Sequence, residues 1–302
     1  MLVAYITCIA ALLGLAFGSF LNVCASRMPE GESIVSPGSH CRSCGHALLW
    51  HENIPIASWI FLRGRCANCG AAISWRYPLV ELAVASTWTI IARNAVSDLL
   101  SPKLATTSAV ETCLIAAGNM VLCWLLILLA TLDAEHLWLP NRLTLGGAVL
   151  GVPFALVRFG VHWVWPLTPR ELIAGLEHRK DISSHFVNWL LGMVIAPSIL
   201  LFVRWSYRLV RKQEGIGLGD VKLMLLLGAW LGLAHTLLAF VCGIVLGTVF
   251  SLVLLVVPRA RRDDTSWLLN RIPLGTFLCI GGIFSALWGS SLIDEYLRLA
   301  GF

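Results

Sequence analysis

The sequence contains very little charge. Only 13% of its 302 residues are Asp, Glu, Lys or Arg, whereas 58% are hydrophobic. Soluble globular domains carry about 25% charged residues, so this composition excludes an ordinary soluble protein. It predicts instead an all-α polytopic membrane protein, because helices satisfy their own backbone hydrogen bonds in lipid.

Basic residues are missing from the first 26 positions, and Arg27 is the first of them. The apolar segment 2–22 therefore lacks the basic start of a secretory signal peptide, and we interpret it as a membrane span. A run of about 20 apolar residues is long enough to cross the hydrocarbon core. By this criterion the sequence predicts about eight transmembrane helices, the sixth and seventh separated only near His235. Their ranges are 2–22, 79–97, 113–132, 143–163, 187–205, 221–234, 236–257 and 273–297.

A local nucleotide-binding fingerprint and internal repeats are also missing. The stretch "GLAFGSFLN" lies inside the first span and not after a strand, so it is a poor match to the GxGxxG pattern. The polar stretch 163–186 has no evident chemical purpose. Its "PRELIAGLEH" could form a short interfacial helix, and a solvated connector is the simpler interpretation.

The basic residues that are present indicate the topology. If residues 27–78 lie in the cytoplasm, the inside loops collect most of the 22 Lys and Arg residues, and both termini face the outside. The net charge of +5 then reflects topology and contact with anionic lipid, and nucleic acid is not an expected partner. The inside set is Arg27, Arg42, Arg63, Arg65, Arg76, Arg142, Arg204, Arg208, Arg211, Lys212, Lys222, Arg259, Arg261, Arg262 and Arg271.

Residues 27–78 form the one long hydrophilic region in the first third of the chain, and they contain two CxxC pairs. Cys41 and Cys44 in "CRSCGH" and Cys66 and Cys69 in "CANCG" match a four-thiolate zinc site. The alternatives are four ordinary thiols or two disulfides, and disulfides would need an oxidising compartment, which the charge distribution argues against. Four thiolates leave no open coordination position, so we expect a structural metal. We predict that the other six cysteines are buried and act as small hydrophobic side chains. They are Cys8, Cys24, Cys113, Cys123, Cys242 and Cys279.

Two acids stand out at the ends of predicted spans, Asp133 in "LLATLDAEHLWLPN" and Asp220 in "EGIGLGDVKL". Ionisable groups at membrane depth are costly and therefore suggest function. Both acids lie at the same predicted membrane face, so they can meet and act as an aspartic-protease dyad. Alternatives remain: Asp220 alone fits a helix cap. Glu135 and His136 fit a solvated turn better than a third catalytic group.

Helix polarity suggests how the pair shares its proton. Asp220 begins a helix, where the dipole favours the anion, whereas Asp133 ends one. This predicts Asp220 as general base and Asp133 as the proton-holding acid. Lys222 is two residues from Asp220 and points elsewhere, so we expect a lipid headgroup or a neighbouring loop as its partner.

Gly217 and Gly219 precede the second acid. Without side chains they allow close approach of an extended substrate strand near the dyad. The alternative is a flexible linker leading into the helix.

Several motifs along the sequence resemble those of a known family. "GLGD" resembles the GxGD motif of intramembrane aspartyl proteases, and "DAEHLWLPN" resembles the first-aspartate motif of bacterial type IV prepilin peptidases. "GSFLNVCASRMP", the CxxC pairs, "ENIPIASW", "RYPLVEL" and "RIPLGTFLCIGG" resemble the same family in order along the chain. Asn141 departs from the pattern, because many members carry Asp there. The change removes a third acid and leaves a polar turn residue.

The resemblance implies an enzyme that cleaves the short basic leader of type IV prepilins or type II secretion pseudopilins and N-methylates the new terminus. It implies zinc and S-adenosylmethionine as cofactors, Pro273 beside the dyad, and Gly64 as a residue associated with methylation. A turn before the second CxxC pair explains Gly64 equally well.

The expected organisation is a first transmembrane helix at 1–26, a cytoplasmic zinc-binding domain at 27–78 and a transmembrane peptidase domain at 79–302. The expected location is the bacterial inner membrane, with zinc domain and active site cytoplasmic and both termini periplasmic. Two other classes compete: a proton- or cation-coupled transporter using the two acids, and a non-enzymatic assembly factor whose zinc domain docks a partner. Peptidase activity without methylation is a further alternative.

Overall fold

The computed structural model describes residues 1–100, 109–164, 169–213, 217–256 and 273–301, with side chains omitted at 157–185 and 255. Within these ranges the regular structure is helical, and the only β-type pairings are two isolated bridges. A short 3-10 helix lies at Trp50–Asn53. The α-helices are α1 (Leu2–Arg27), α2 (Ala57–Phe61), α3 (Arg76–Leu99), α4 (Ala109–His136), α5 (Asn141–Val164), α6 (Pro169–Arg211), α7 (Leu218–Val256) and α8 (Leu274–Ala300).

Six helical segments are long and apolar enough to cross a membrane among the described residues, which confirms the all-α polytopic class. They are Leu2–Arg27, Arg76–Leu99, Ala109–His136, Phe186–Arg211, Leu218–Leu254 and Leu274–Ala300.

The sixth and seventh predicted spans fall together in the segment Leu218–Leu254, which has 37 residues. A straight helix of that length would extend about 55 Å, far beyond the roughly 30 Å hydrocarbon core. The backbone breaks at Gly232, where φ is 74° and ψ is −177°. The predicted division near His235 is therefore three residues too late. The position follows from the backbone, because a left-handed φ is readily adopted only by glycine.

The chain forms two compact units, Met1–Leu128 and Leu129–Phe302. In the first unit α1 packs along α3. Their backbones approach so closely at Gly18 that a Cβ there would lie 2.6 Å from the Cα of Glu81. The Asn22 side chain also donates to the Tyr77 carbonyl at 3.0 Å. The loop-rich region with the two CxxC pairs lies between these helices in sequence.

In the second unit α7 packs against α5, α6 and α8. Indole N–H groups fix two of these contacts, since Trp189 donates to the Ala229 carbonyl at 2.7 Å and Trp230 donates to the Gly147 carbonyl at 2.8 Å. The core between them is formed by fully buried aliphatic side chains. They include Leu132, Leu200, Leu223, Leu226, Leu227 and Leu278.

Two smaller expectations need correction. The "PRELIAGLEH" stretch is not a separate short helix, because α6 begins at Pro169 and continues to Arg211; residues 165–168 lie outside the described part. Among the six remaining cysteines, burial is right for Cys24, Cys123 and Cys279, whereas Cys8 and Cys113 are exposed and Cys242 is half-buried. An exposed position on an apolar helix of a membrane protein can face lipid, so low polarity did not imply burial in protein.

Candidate active site

Asp133 and Asp220 come together in the second unit. Asp133 lies three residues before the end of α4, and Asp220 is the third residue of α7. The two residues are 6% and 9% exposed, and their carboxyl groups are near enough to interact electrostatically. The two acids that are 87 residues apart in sequence therefore form one buried pair.

The capping interpretation of Asp220 accounts for part of its environment. The backbone N–H of Gly217, just before α7, donates to the Asp220 carboxylate. An acid at the third helical position commonly reaches back to the residue before the helix in this way. The cap does not explain why a second buried acid lies beside it.

Thr276 in the first turn of α8 is the principal partner of Asp133. Its backbone N–H donates to Asp133 Oδ2 at 2.7 Å, and its hydroxyl lies 3.0 Å from the same oxygen. The hydroxyl also lies 3.2 Å from the Ala130 carbonyl. A backbone N–H at this distance requires Oδ2 to accept, and donors at the start of a helix favour an anion there.

Gly275, the residue before Thr276, leaves room for this contact. A Cβ at Gly275 would lie 2.9 Å from Asp133 Oδ2 and 2.8 Å from Leu139 Cδ1, both closer than real Cβ atoms approach. Neither Gly275 nor Thr276 was singled out from the sequence, although both lie in "RIPLGTFLCIGG". The sequence Pro-Leu-Gly-Thr does indicate the start of a helix. It does not reveal which side chain accepts the hydrogen bonds of the unpaired N–H groups in the first turn.

The other residues predicted to support the dyad have different surroundings. Gly217 lies against Asp220, since a Cβ there would be 3.3 Å from Asp220 Oδ2. Gly219 instead faces the Leu139 side chain, with a Cβ position 3.1 Å from Leu139 Cβ. Pro273 caps the start of α8, two residues before Gly275. Gly219 thus packs against the loop between α4 and α5.

Polar neighbours of the two acids are accounted for without a third catalytic group. Lys222 Nζ donates to Asn141 Oδ1 at 2.6 Å, so its partner is the first residue of α5 and not a lipid headgroup. Glu135 and His136 have partly exposed side chains that lie 3.9 Å from each other. Both residues belong to the last turn of α4 and not to a loop, so the predicted turn is wrong, although their partial exposure agrees with a solvated position.

The four predicted metal ligands cluster in the first unit. The sulfur atoms of Cys41, Cys44, Cys66 and Cys69 all lie within 4.8 Å of one another. The Cys41 and Cys69 sulfurs are 3.8 Å apart, and a tetrahedral site with Zn–S bonds of about 2.3 Å separates its sulfurs by about 3.8 Å. The cluster therefore fits a tetrahedral thiolate-bound metal.

Each CxxC pair is folded by the same backbone hydrogen bonds. Gly45 and Gly70 donate to the carbonyls of Cys41 and Cys66 at 2.8 and 2.9 Å, and both glycines have left-handed φ values near 70°. Backbone N–H groups of Cys44 and Ser43 point at the Cys41 sulfur and lower the pKa of that thiol to about 6.

The pKa of the Cys69 thiol is shifted in the opposite direction from that of Cys41. The Ala71 N–H favours its thiolate, but hydrogen bonds with the Cys44 and Cys66 sulfurs raise its pKa to about 11. The crowded sulfurs therefore do not all ionise without a cation, which is the electrostatic condition that a bound metal satisfies.

Gly64 has a structural explanation in the described contacts. Its φ is +66°, and a Cβ there would lie 3.0 Å from the Trp59 ring. Its N–H donates to the Trp59 carbonyl at 2.8 Å, and its carbonyl accepts from Ile73 at 2.7 Å. The residue forms the turn between α2 and the second CxxC pair.

The membrane-spanning helices, the buried aspartate pair and the four-cysteine cluster are together the features of one class of protein. This class is the membrane-embedded aspartyl peptidases with a metal-binding loop domain. Comparison with known proteins narrows the class. Residues 12–95 match the Bacterial Peptidase A24 N-terminal domain, and residues 120–252 match the Type IV leader peptidase family. This chain belongs to the type IV leader peptidase family.

Curated relatives are similar over nearly the whole chain. A prepilin leader peptidase/N-methyltransferase of Pseudomonas aeruginosa is 32% identical, covering 99% of this chain and 96% of the relative. Proteins with the same description from Dichelobacter nodosus and Aeromonas hydrophila are 31% and 30% identical, covering 93% and 95% of this chain and 91% and 92% of those relatives. No solved structure matches the chain significantly.

Proposed function

We propose that this protein is a membrane aspartyl endopeptidase that removes the basic leader of type IV prepilins or type II secretion pseudopilins and N-methylates the new N-terminal residue. The observation that carries the peptidase assignment is the pair of buried carboxylates contributed by α4 and α7. The descriptions of the curated relatives support both activities.

Asp133 and Asp220 are the proposed catalytic residues. In the cleavage step one ionised carboxylate takes a proton from water as the water oxygen attacks the scissile carbonyl carbon. The other, protonated carboxyl donates to the carbonyl oxygen. The amine nitrogen then takes a proton as the carbon–nitrogen bond breaks. Burial of the pair keeps these transfers in a low-dielectric site, where each charge has more effect than in water.

The hydrogen bonds favour Asp133 as the ionised member, the reverse of the assignment from its own helix dipole. Asp133 accepts from the Thr276 N–H and lies within reach of its hydroxyl at the start of α8, whereas Asp220 accepts from the single N–H of Gly217. Two donors stabilise a carboxylate more than one does. We therefore propose Asp133 as general base and Asp220 as the acid, titrating as a coupled pair.

Infrared difference spectroscopy tests this assignment. The resting enzyme should show the C=O band of a protonated carboxylic acid, and Asp220→Asn should remove it. Retention of the band in Asp220→Asn together with its loss in Asp133→Asn would reverse the roles.

The four cysteines are proposed to hold a structural zinc ion that organises the loop domain. Their thiolate donor set suits zinc, and four sulfur ligands leave no position for water or substrate. S-adenosylmethionine supplies the methyl group for the second activity when it is bound. The proposed domain division remains 1–26, 27–78 and 79–302, with Gly217, Gly219 and Pro273 supporting the dyad and Gly64 shaping the zinc domain.

The proposed location is the bacterial inner membrane, with the zinc domain and both acids on the cytoplasmic side and both termini in the periplasm. The distribution of Lys and Arg residues supports this orientation. Phosphatase and fluorescent-protein fusions at the C-terminus check it, since only the phosphatase fusion should be active there.

Incubation of the detergent-solubilised protein with a prepilin tests both activities together. Leader removal should disappear in Asp133→Asn and in Asp220→Asn, and methyl transfer to a precleaved pilin should continue in both variants. Cleavage by either variant at the wild-type rate would exclude the dyad and favour a transport or assembly role for the protein.

A further inference from the structure

We propose that a cavity beside the C-terminal half of α1 binds S-adenosylmethionine, with Arg27 receiving its carboxylate. The inference rests on the proposed methyltransferase activity and locates the donor site. The cavity has a volume of about 340 Å³ and lies wholly within the first unit. Its walls come from α1 and from the loop segments around residues 34–39 and 53–55.

Arg27 is the unusual residue of this cavity. It is only 6% exposed, and its guanidinium donates to the carbonyls of Ser33 and Gly38, each at 3.0 Å. Within the described part of the chain it forms no ion pair with a carboxylate. An arginine is always charged and offers five N–H groups, so a buried one without an anion is costly.

Nearby acids do not fill this role in the structure. Glu30, three residues along, pairs with the exposed Arg42 at 2.7 Å. The remaining Arg27 donors therefore border a cavity without a described anionic group. A ligand carboxylate is the group that best matches a planar guanidinium, because the two can form paired hydrogen bonds.

A buried carboxyl group lies behind the cavity wall. Ser19 lines the cavity and hydrogen-bonds to the carboxyl group of Glu81, which is 6% exposed and also accepts from the Ile56 N–H at 2.7 Å. Ser19 and Arg27 are eight residues apart on α1, a rise of about 12 Å. The site thus combines a buried cationic donor at the cavity wall with a hydroxyl that is backed by an acid. This suits a ligand that carries a carboxylate and, farther along, a positive charge.

The remaining wall supports a small organic ligand over a peptide. Phe20, Val23 and Pro37 supply apolar surface, and Ser39 and Asn53 add polar groups. Cavities of about 300–1,000 Å³ that combine apolar surface with a few placed polar groups are typical small-molecule sites. S-adenosylmethionine combines a flat base, a carboxylate and a cationic sulfonium, which are the groups that these walls can accommodate.

Calorimetric binding to the purified full-length protein tests the site with two probes, S-adenosylmethionine and its decarboxylated analogue. Wild-type protein should bind the carboxylate-bearing compound at least about tenfold more tightly, because one charge-assisted contact is lost in the analogue. Arg27→Gln should bind both probes equally, and Arg27→Lys should recover part of the preference. Arg42→Gln is the matched control and should keep the full wild-type preference.

The outcomes separate this site from the proposed function. If wild-type protein discriminates between the probes and Arg27→Gln discriminates equally well, Arg27 is not the carboxylate partner and the inference fails. Arg27→Gln could be misfolded, which loss of leader cleavage would reveal. In that case the wild-type protein still tests the inference, because equal binding of the two probes by wild-type protein would overturn it. Loss of copurifying phospholipid in Arg27→Gln with discrimination unchanged would assign the cavity to a lipid headgroup. Failure of wild-type protein to bind or use the donor at all would instead refute the methyltransferase activity itself.

Discussion

Replacing Thr276 by Val removes one hydroxyl beside Asp133 while keeping side-chain volume and the backbone N–H. The hydroxyl lies 3.0 Å from Asp133 Oδ2, and the N–H donates to the same oxygen at 2.7 Å. A hydrogen bond to a charged acceptor contributes about 1.5–3 kcal/mol. If the carboxylate needs that bond to act as base, the cleavage rate should fall by about 10- to 150-fold.

The assay is the initial rate of leader removal from a purified prepilin in detergent, measured over a range of substrate concentrations. We expect the loss in kcat with little change in KM, because Thr276 contacts the carboxylate and not the leader. Thr276→Ser keeps the hydroxyl and should retain most activity. Methylation of a precleaved pilin by the same preparation verifies that the variant is folded.

Two outcomes would show that the Thr276 hydroxyl does not support Asp133 as a base. Wild-type cleavage by Thr276→Val would mean that the hydroxyl bonds only to the Ala130 carbonyl, which lies 3.2 Å away. Equal loss in the Val and Ser variants would indicate disturbed packing of α8 instead of a lost hydrogen bond.

Contacts at Gly275, the cysteine cluster and Glu81 can each be tested by substitution. Gly275→Ala should reduce cleavage by about 100-fold, because its Cβ would lie 2.9 Å from Asp133 Oδ2 and a displacement of about 1 Å can have that effect. Chelation of zinc, or Cys41→Ser, should lower the melting temperature and release one zinc ion per chain, since metal binding contributes to folding of such domains. Glu81→Ala should lower the free energy of unfolding by about 1–3 kcal/mol because it leaves the Ile56 N–H without its acceptor.

Matched variants make each prediction specific. Gly146→Ala adds a methyl group with nothing within 4 Å and should leave the cleavage rate unchanged. Cys8→Ser should retain the metal, which atomic absorption would detect. Glu81→Gln keeps a carbonyl acceptor and should be milder than Glu81→Ala in thermal unfolding; equal destabilisation by both would indicate that the charge, not the Ile56 contact, matters.

The cysteine cluster was largely predictable because its geometry is encoded locally. Each CxxC pair forms its own knuckle through hydrogen bonds spanning a few residues, with glycine at the left-handed position. The sequence could therefore predict two half-sites, and only their meeting depended on the chain between them. The surroundings of Gly64 could not be predicted in this way, because its contact with the Trp59 ring depends on where α2 ends.

The partners of the acids were not predictable in the same way. Thr276 lies 143 residues from Asp133, and no spacing rule connects them. Gly219 was expected to face substrate, but it packs on Leu139, which comes from the loop after α4. Lys222 was expected to meet lipid or a loop, and it reaches Asn141 across the gap between α7 and α5.

The membrane class, the two acids and the four thiols could be predicted from the order of the amino acids alone, because apolar run length, scarcity of charge and short ligand spacings are properties of the chain in one dimension. The packing of the helices was needed to show which donors face Asp133, where α7 breaks, and that Arg27 borders a cavity. These features depend on how separate helices pack, since a hydrogen-bond partner supplied by a distant helix has no counterpart in local sequence. The proton is the case where this matters most: the dipole of its own helix predicts it on Asp133, whereas the donors at the start of α8 support our proposal that Asp220 holds it.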